Sequence, residues 1–104
     1  YKKDISPIKR DELDPHKLYN IEVVQFRFKD NCINQKNQDY DIYYPGLIAE
    51  DVLENYPRGA VVSNGMAEDW SDRYIIPPML YLIQEQKKLI DSLEERIYRL
   101  ERKN

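Results

Sequence analysis

The sequence predicts an α+β fold: a small mixed globular part over residues 1–76, with a β-hairpin and short helices, then a long helix over 77–104 forming a parallel coiled coil. Three observations predict it. Isoleucine and leucine recur every seven residues through the last third. Residues 21–28 alternate β-branched and aromatic side chains with polar ones. An Asn64-Gly65 pair separates two further short extended runs, as in a tight hairpin.

At 104 residues the chain fits one domain, with no room for a second core. Apolar residues make up 41% and charged residues 34%, a wet composition for a compact monomer, so oligomerisation is an expected aid to stability. Nine tyrosines suit a thin body, since a tyrosine can bury its ring and leave its hydroxyl in water. The net charge is −3, and no run of basic residues interleaved with aromatics precedes the C-terminal helix, which argues against a nucleic-acid partner. No apolar stretch approaches the roughly 18 residues that span a bilayer, so no membrane partner is expected. No signal peptide is visible, and a start at Tyr1 rather than methionine leads us to expect a piece of a longer protein, soluble and intracellular when made. Cys32 lies among Asp30, Asn31, Asn34 and Gln35 and reads as an exposed loop thiol without a role. One cysteine makes no internal disulfide, and no metal or other cofactor is expected.

Taken in order, residues 1–10 are basic and extended, because Pro7 biases Ser6 away from helix. A helical turn starts near Asp14, with Pro15 at its first position. Over 21–28, Val24, Phe26 and Phe28 share the drier face of a strand. The polar stretch 29–41 reads as a long hairpin loop, strand character resumes over 40–44, and Pro45-Gly46 breaks the chain. Ile48, Val52 and Tyr56 recur every four residues, giving a helix of about nine residues within 47–56. A strand over 59–63 leads into the Asn64-Gly65 turn and a return strand over 67–70. Glu50 and Asp51 at a helix start are accounted for by the helix dipole. His16 has no carboxylate or serine motif beside it and reads as a surface or helix-start residue. Trp70, Tyr74 and the tyrosines of 40–44 read as packing residues.

From about residue 77 to 103, Ile83, Ile90 and Ile97 fall at heptad position a, and Met79, Gln86, Leu93 and Leu100 at d. These seven residues are the candidate oligomerisation seam. A single amphipathic helix on a monomeric core would need more covering surface than the upstream residues offer. Isoleucine at a with leucine at d leans towards a parallel dimer. Against that, Leu82 and Leu89 at g widen the apolar face, and Gln86 places an amide in the seam. The pair Arg96 (g) and Glu101 (following e) favours parallel, in-register chains. Periodicity leaves dimer and trimer open.

Three ordered blocks resemble the peptidase S74 family, the intramolecular chaperone domains of phage tail spikes, tail fibres and neck appendages. The first is Tyr1-Lys2-Lys3-Asp4-Ile5 with Pro7-Ile8, similar to that family's opening Leu-Lys-Lys-Asn-Ile and nearby Pro. The second pairs Val23-Val24-Gln25-Phe26-Arg27-Phe28-Lys29 with Gly46-Leu47-Ile48-Ala49-Glu50-Asp51-Val52. These are similar to the family's Val-x-Phe-x-x-Lys strand and Gly-Leu-Ile-Ala-Gln-Glu-Val helix start, with Glu50 replacing the family's glutamine. The third is Tyr74-Ile75-Ile76-Pro77 running into Leu80 and Ile83-Gln84-Glu85-Gln86. Together they span nearly the whole chain.

The resemblance implies a C-terminal chaperone that trimerises and folds the upstream fibre or spike part of its own precursor in the host cytoplasm, then is cut free. It implies a serine that cleaves the peptide bond on its own N-terminal side, with a lysine five residues later as general base. Lys2 takes that lysine position, so the serine falls upstream of Tyr1, and the present chain is inactive alone. Ser6, Ser63 and Ser92 are poor substitutes by position. The lysine of a Ser–Lys pair must be neutral, and an ordinary lysine pKa of about 10.4 has to be lowered by burial or nearby cations. Lys3, Lys9 and Arg10 are near in sequence. By composition alone, Lys2 and Lys3 are a solvated basic terminus. The rivals are a non-catalytic coiled-coil trimerisation or docking module and a dimeric coiled-coil adaptor.

Overall fold

The protein is described from a computed structural model, over residues 1–29 and 42–103. It is a mixed α+β structure, with two small antiparallel strand pairs and a long C-terminal helix. The expected loop over 29–41, with Cys32 and Tyr40, lies almost wholly outside the described residues.

The chain enters as an irregular segment, with Asp4 at φ 54 rather than extended as expected, and makes two 3-10 turns, Asp11–Leu13 and Pro15–Asn20. Asp14 caps the second turn, its carboxylate accepting from the His16 amide at 3.0 Å, and Pro15 occupies the first position. Strand β1 is Val24–Phe26 and pairs antiparallel with β2, Tyr44–Gly46. The drier face of β1 is the expected one, since Val24 and Phe26 are half-buried and Gln25 is exposed. The strand is shorter than expected, and Phe28 is exposed at its end, stacked edge-on against Phe26 and Tyr44. Pro45 and Gly46 do not break the chain but belong to β2, opposite Gln25 and Val24. A two-stranded pair has only edge strands, where a proline without an amide hydrogen is tolerated. Gly46 also lets the Phe26 ring lie close, because a Cβ there would sit 2.7 Å from Cε1.

Helix α1 is Ala49–Asn55, seven residues rather than nine, with Ile48 as its cap. Its buried face is Val52, with Tyr56 just beyond the end; Ile48 is exposed. A 3-10 turn over Pro57–Gly59 takes up the first residue of the expected strand, so β3 is Ala60–Ser63 and pairs with β4, Met66–Trp70. The turn between them holds Asn64 at φ 52 and Gly65 at φ 75, the left-handed pair that such hairpins require. Val52, Tyr56 and Ile75 form the core, with Leu18, Ile21, Leu47, Ala60, Trp70 and Tyr74 packed on it.

Helix α2 is Asp72–Arg102, 31 residues. It starts before Pro77, where the sequence had placed its beginning. The extra turn forms because Tyr74 and Ile75 belong to the core and Ser71 is tied down, its amide donating to the Gly59 carbonyl at 2.8 Å. Pro77 and Pro78 therefore lie inside the helix. Each lacks the amide hydrogen that would reach the carbonyl four residues back. Near the helix start this cost is offset by burial of Pro78 against the body.

Candidate functional site

The body covers α2 along one flank and over its first half only. Ile75, Pro78 and Leu82 are buried, and Tyr74, Tyr81 and Glu85 half-buried; in heptad terms these are positions c, f and g. Beyond Glu85, every described residue of α2 is exposed. The a and d positions are uncovered throughout, with Ile76, Met79, Ile83, Ile90, Leu93, Ile97 and Leu100 between 43% and 63% exposed. Apolar stripes of this extent are uncommon on the surfaces of soluble monomers. Of the two leucines at g, Leu82 is spent on the chain's own core and Leu89 is open.

Gln86, the polar member of the seam, donates from Nε2 to the Tyr19 hydroxyl at 2.7 Å, so its amide is anchored to the body. Elsewhere on α2, charges pair within the helix: Lys87, at e, with Asp91 at 2.7 Å, and Arg99 with Glu95 at 2.6 Å. Arg96 and Glu101, flanking the stripe, have no ion pair to any described residue.

Lys2 lies in the exposed N-terminal segment and makes no hydrogen bond or ion pair to any described residue. Ser6 and Ser92 are exposed and Ser63 half-buried, and none shares a hydrogen bond with a lysine. The structure does not bring Lys2 together with a nucleophile. His16 does have a carboxylate beside it, contrary to expectation: its Nδ1 lies 2.9 Å from Asp14 Oδ1, and this bond holds the Asp14 carboxyl below its usual range. Both side chains serve the start of the 3-10 turn, consistent with a helix-start histidine.

Asp51 does more than meet a helix dipole. Its Oδ2 accepts from the Glu22 amide at 2.9 Å and its Oδ1 from Asn55 Nδ2 at 2.7 Å, tying β1's approach to α1. Nothing local in the sequence marks that long-range bond. Trp70, Tyr74 and Tyr44 do pack, whereas Tyr43 is exposed under the Arg27 guanidinium, 5.5 Å from its ring centre. Among the described residues, no helix is long and apolar enough to cross a membrane, and no group of His, Cys, Asp or Glu is placed to hold a metal. No protein-family model matches the chain, and no curated protein matches it significantly.

Proposed function

We propose that this chain is an assembly domain, a C-terminal intramolecular chaperone of the S74 type. It joins three copies through a parallel coiled coil of α2 and so brings the upstream parts of a phage spike or fibre precursor into register. The observation that carries this is the uncovered heptad stripe from Ile76 to Leu100 on a helix that outruns its own body. A lone helix of this kind has too little tertiary cover to be stable, since most helical stability in proteins comes from packing one apolar face. Release would follow by acyl transfer within the chain. The serine Oγ upstream of Tyr1 attacks the carbonyl before it, the Lys2 amine takes the hydroxyl proton, the serine nitrogen leaves protonated, and water hydrolyses the ester. Lys2 is exposed and unpaired among the described residues, so the burial or cations that make its amine neutral would have to come with the preceding chain that carries the serine. Equilibrium sedimentation of the isolated chain tests the assembly: three times the 12.5 kDa chain mass is expected. A monomer at all concentrations would overturn it, and a stable dimer would favour a dimeric adaptor.

A further inference from the structure

We infer that the apolar groove beside the first turns of α2 receives Leu80 of the adjacent copy, an inference that rests on the coiled-coil assembly proposed above. The groove has a volume of about 330 Å³. Its body wall includes Leu18, Ile21 and Leu47, and its helix wall Ile75, Met79 and Leu82. Further along, Ile83 and Gln86 belong both to the groove and to the heptad seam, so groove and seam form one continuous surface.

The heptad register decides what enters. Ile75 and Leu82 are g, Met79 and Gln86 are d, and Ile83 is a, so the groove lies on the g side of the seam. In a parallel, in-register coiled coil, a g residue faces the e residue of the next heptad on the neighbouring chain. That rule pairs Arg96 with Glu101, which have no partners among the described residues of their own chain. Applied five residues on from Ile75, it gives Leu80. Positions e further down are Lys87, Glu94 and Glu101, all charged. Leu80 is the e residue that is apolar, it is 52% exposed, and it sits level with the part of the helix that the body flanks. The e positions turn charged just where the body ends. Each copy thus offers a groove on one flank and a leucine on the other. The contact repeats around the axis and closes with the ring, burying an apolar cleft that one chain leaves open.

The test uses the full chain with Cys32→Ser. Chains carrying Leu80→Cys are refolded together with chains carrying Ile21→Cys, oxidised and run on a non-reducing gel. A mixed covalent dimer well in excess of that formed by either chain alone is expected, because a disulfide needs Cα atoms within about 7 Å. In parallel, Leu80→Glu should weaken association at least about tenfold by forcing a carboxylate into an apolar cleft, while Leu80→Met should leave it near wild type. A trimer by sedimentation that gives no mixed disulfide and tolerates Leu80→Glu overturns the groove contact and leaves the coiled coil standing. A monomer overturns both.

Discussion

Tyr56 is fully buried at the centre of the core, and its hydroxyl has no hydrogen-bond partner among the described residues. Burial, with the Tyr74 phenol nearby, pushes its pKa up, and Arg58 opposes this only in part. A buried hydroxyl without a partner is a net cost, so Tyr56→Phe should leave stability unchanged or raise it by up to about 1 kcal/mol in urea unfolding. The linkage has a definite sign. The neutral phenol's contribution is fully present below the unfolded tyrosine pKa, about 10, and is lost as pH rises through the higher folded value. Tyr56→Phe should therefore flatten the alkaline loss of stability. A mutant as sensitive as wild type above that pH would show that another group governs the transition. Lys2 is argued on chemistry instead of packing. In a precursor carrying the upstream serine, Lys2→Ala should slow cleavage about 10²–10⁴-fold, the usual loss for a missing general base. Folding and trimerisation should be unaffected, because Lys2 is exposed. Lys3→Ala should be milder, since one amine occupies the base position. Normal maturation of Lys2→Ala on a gel time course would mean that the register on the S74 motif is wrong.

Among the elements, α2 carries two kinds of stability along its length. Its first turns are held by the core through Ile75, Pro78 and Leu82, while the portion past Glu85 has no tertiary cover in a single chain. At about 1.5 Å per residue the whole helix spans roughly 46 Å, and more than half of it lies past Glu85, without cover from its own chain. Ile90→Asn with Leu93→Gln removes two central seam side chains from every copy. Buried aliphatic losses of about 2–5 kcal/mol per site should dissociate the assembly and melt the distal half of the helix. Sedimentation and far-ultraviolet circular dichroism should report both changes together. Ser92→Ala, on the outer face between them, should change neither. Loss of helicity without dissociation would place the interface elsewhere.

Taken whole, the molecule measures 65 × 39 × 27 Å, with its body around one half of a long rod. The isolated chain exposes 9089 Å², where a compact monomer of its mass exposes roughly 6,200 Å². Part of that surface is α2, where every described residue past Glu85 is exposed, and an interface of standard size buries about 1,200–2,000 Å² in all. Three copies closing on one axis would cover the stripe and the grooves together. The trimer expected in sedimentation should then have a thermal midpoint that rises with protein concentration, as linked folding and association require.

Several features were legible from local pattern alone. The Asn64-Gly65 turn, the Asp14-Pro15 helix start, the alternation in β1 and the heptads of α2 each rest on short-range stereochemistry or on a period a few residues long. The mixed α+β class followed from them. What one-dimensional pattern could not give were pairings set at a distance. Pro45 and Gly46 look like a break until Val24 and Gln25 pair with them. Pro77 looks like a helix start until Ile75 is drawn into the core and carries the helix back to Asp72. Asp51 is an ordinary first-turn acid until the Glu22 amide reaches it. The heptads alone could not separate Leu82, consumed by the body, from Leu89, left open. The sequence by itself determined which helix face is apolar, because that depends only on spacing. Which part of that face the chain covers was decided by the tertiary structure, because burial depends on where the rest of the chain packs.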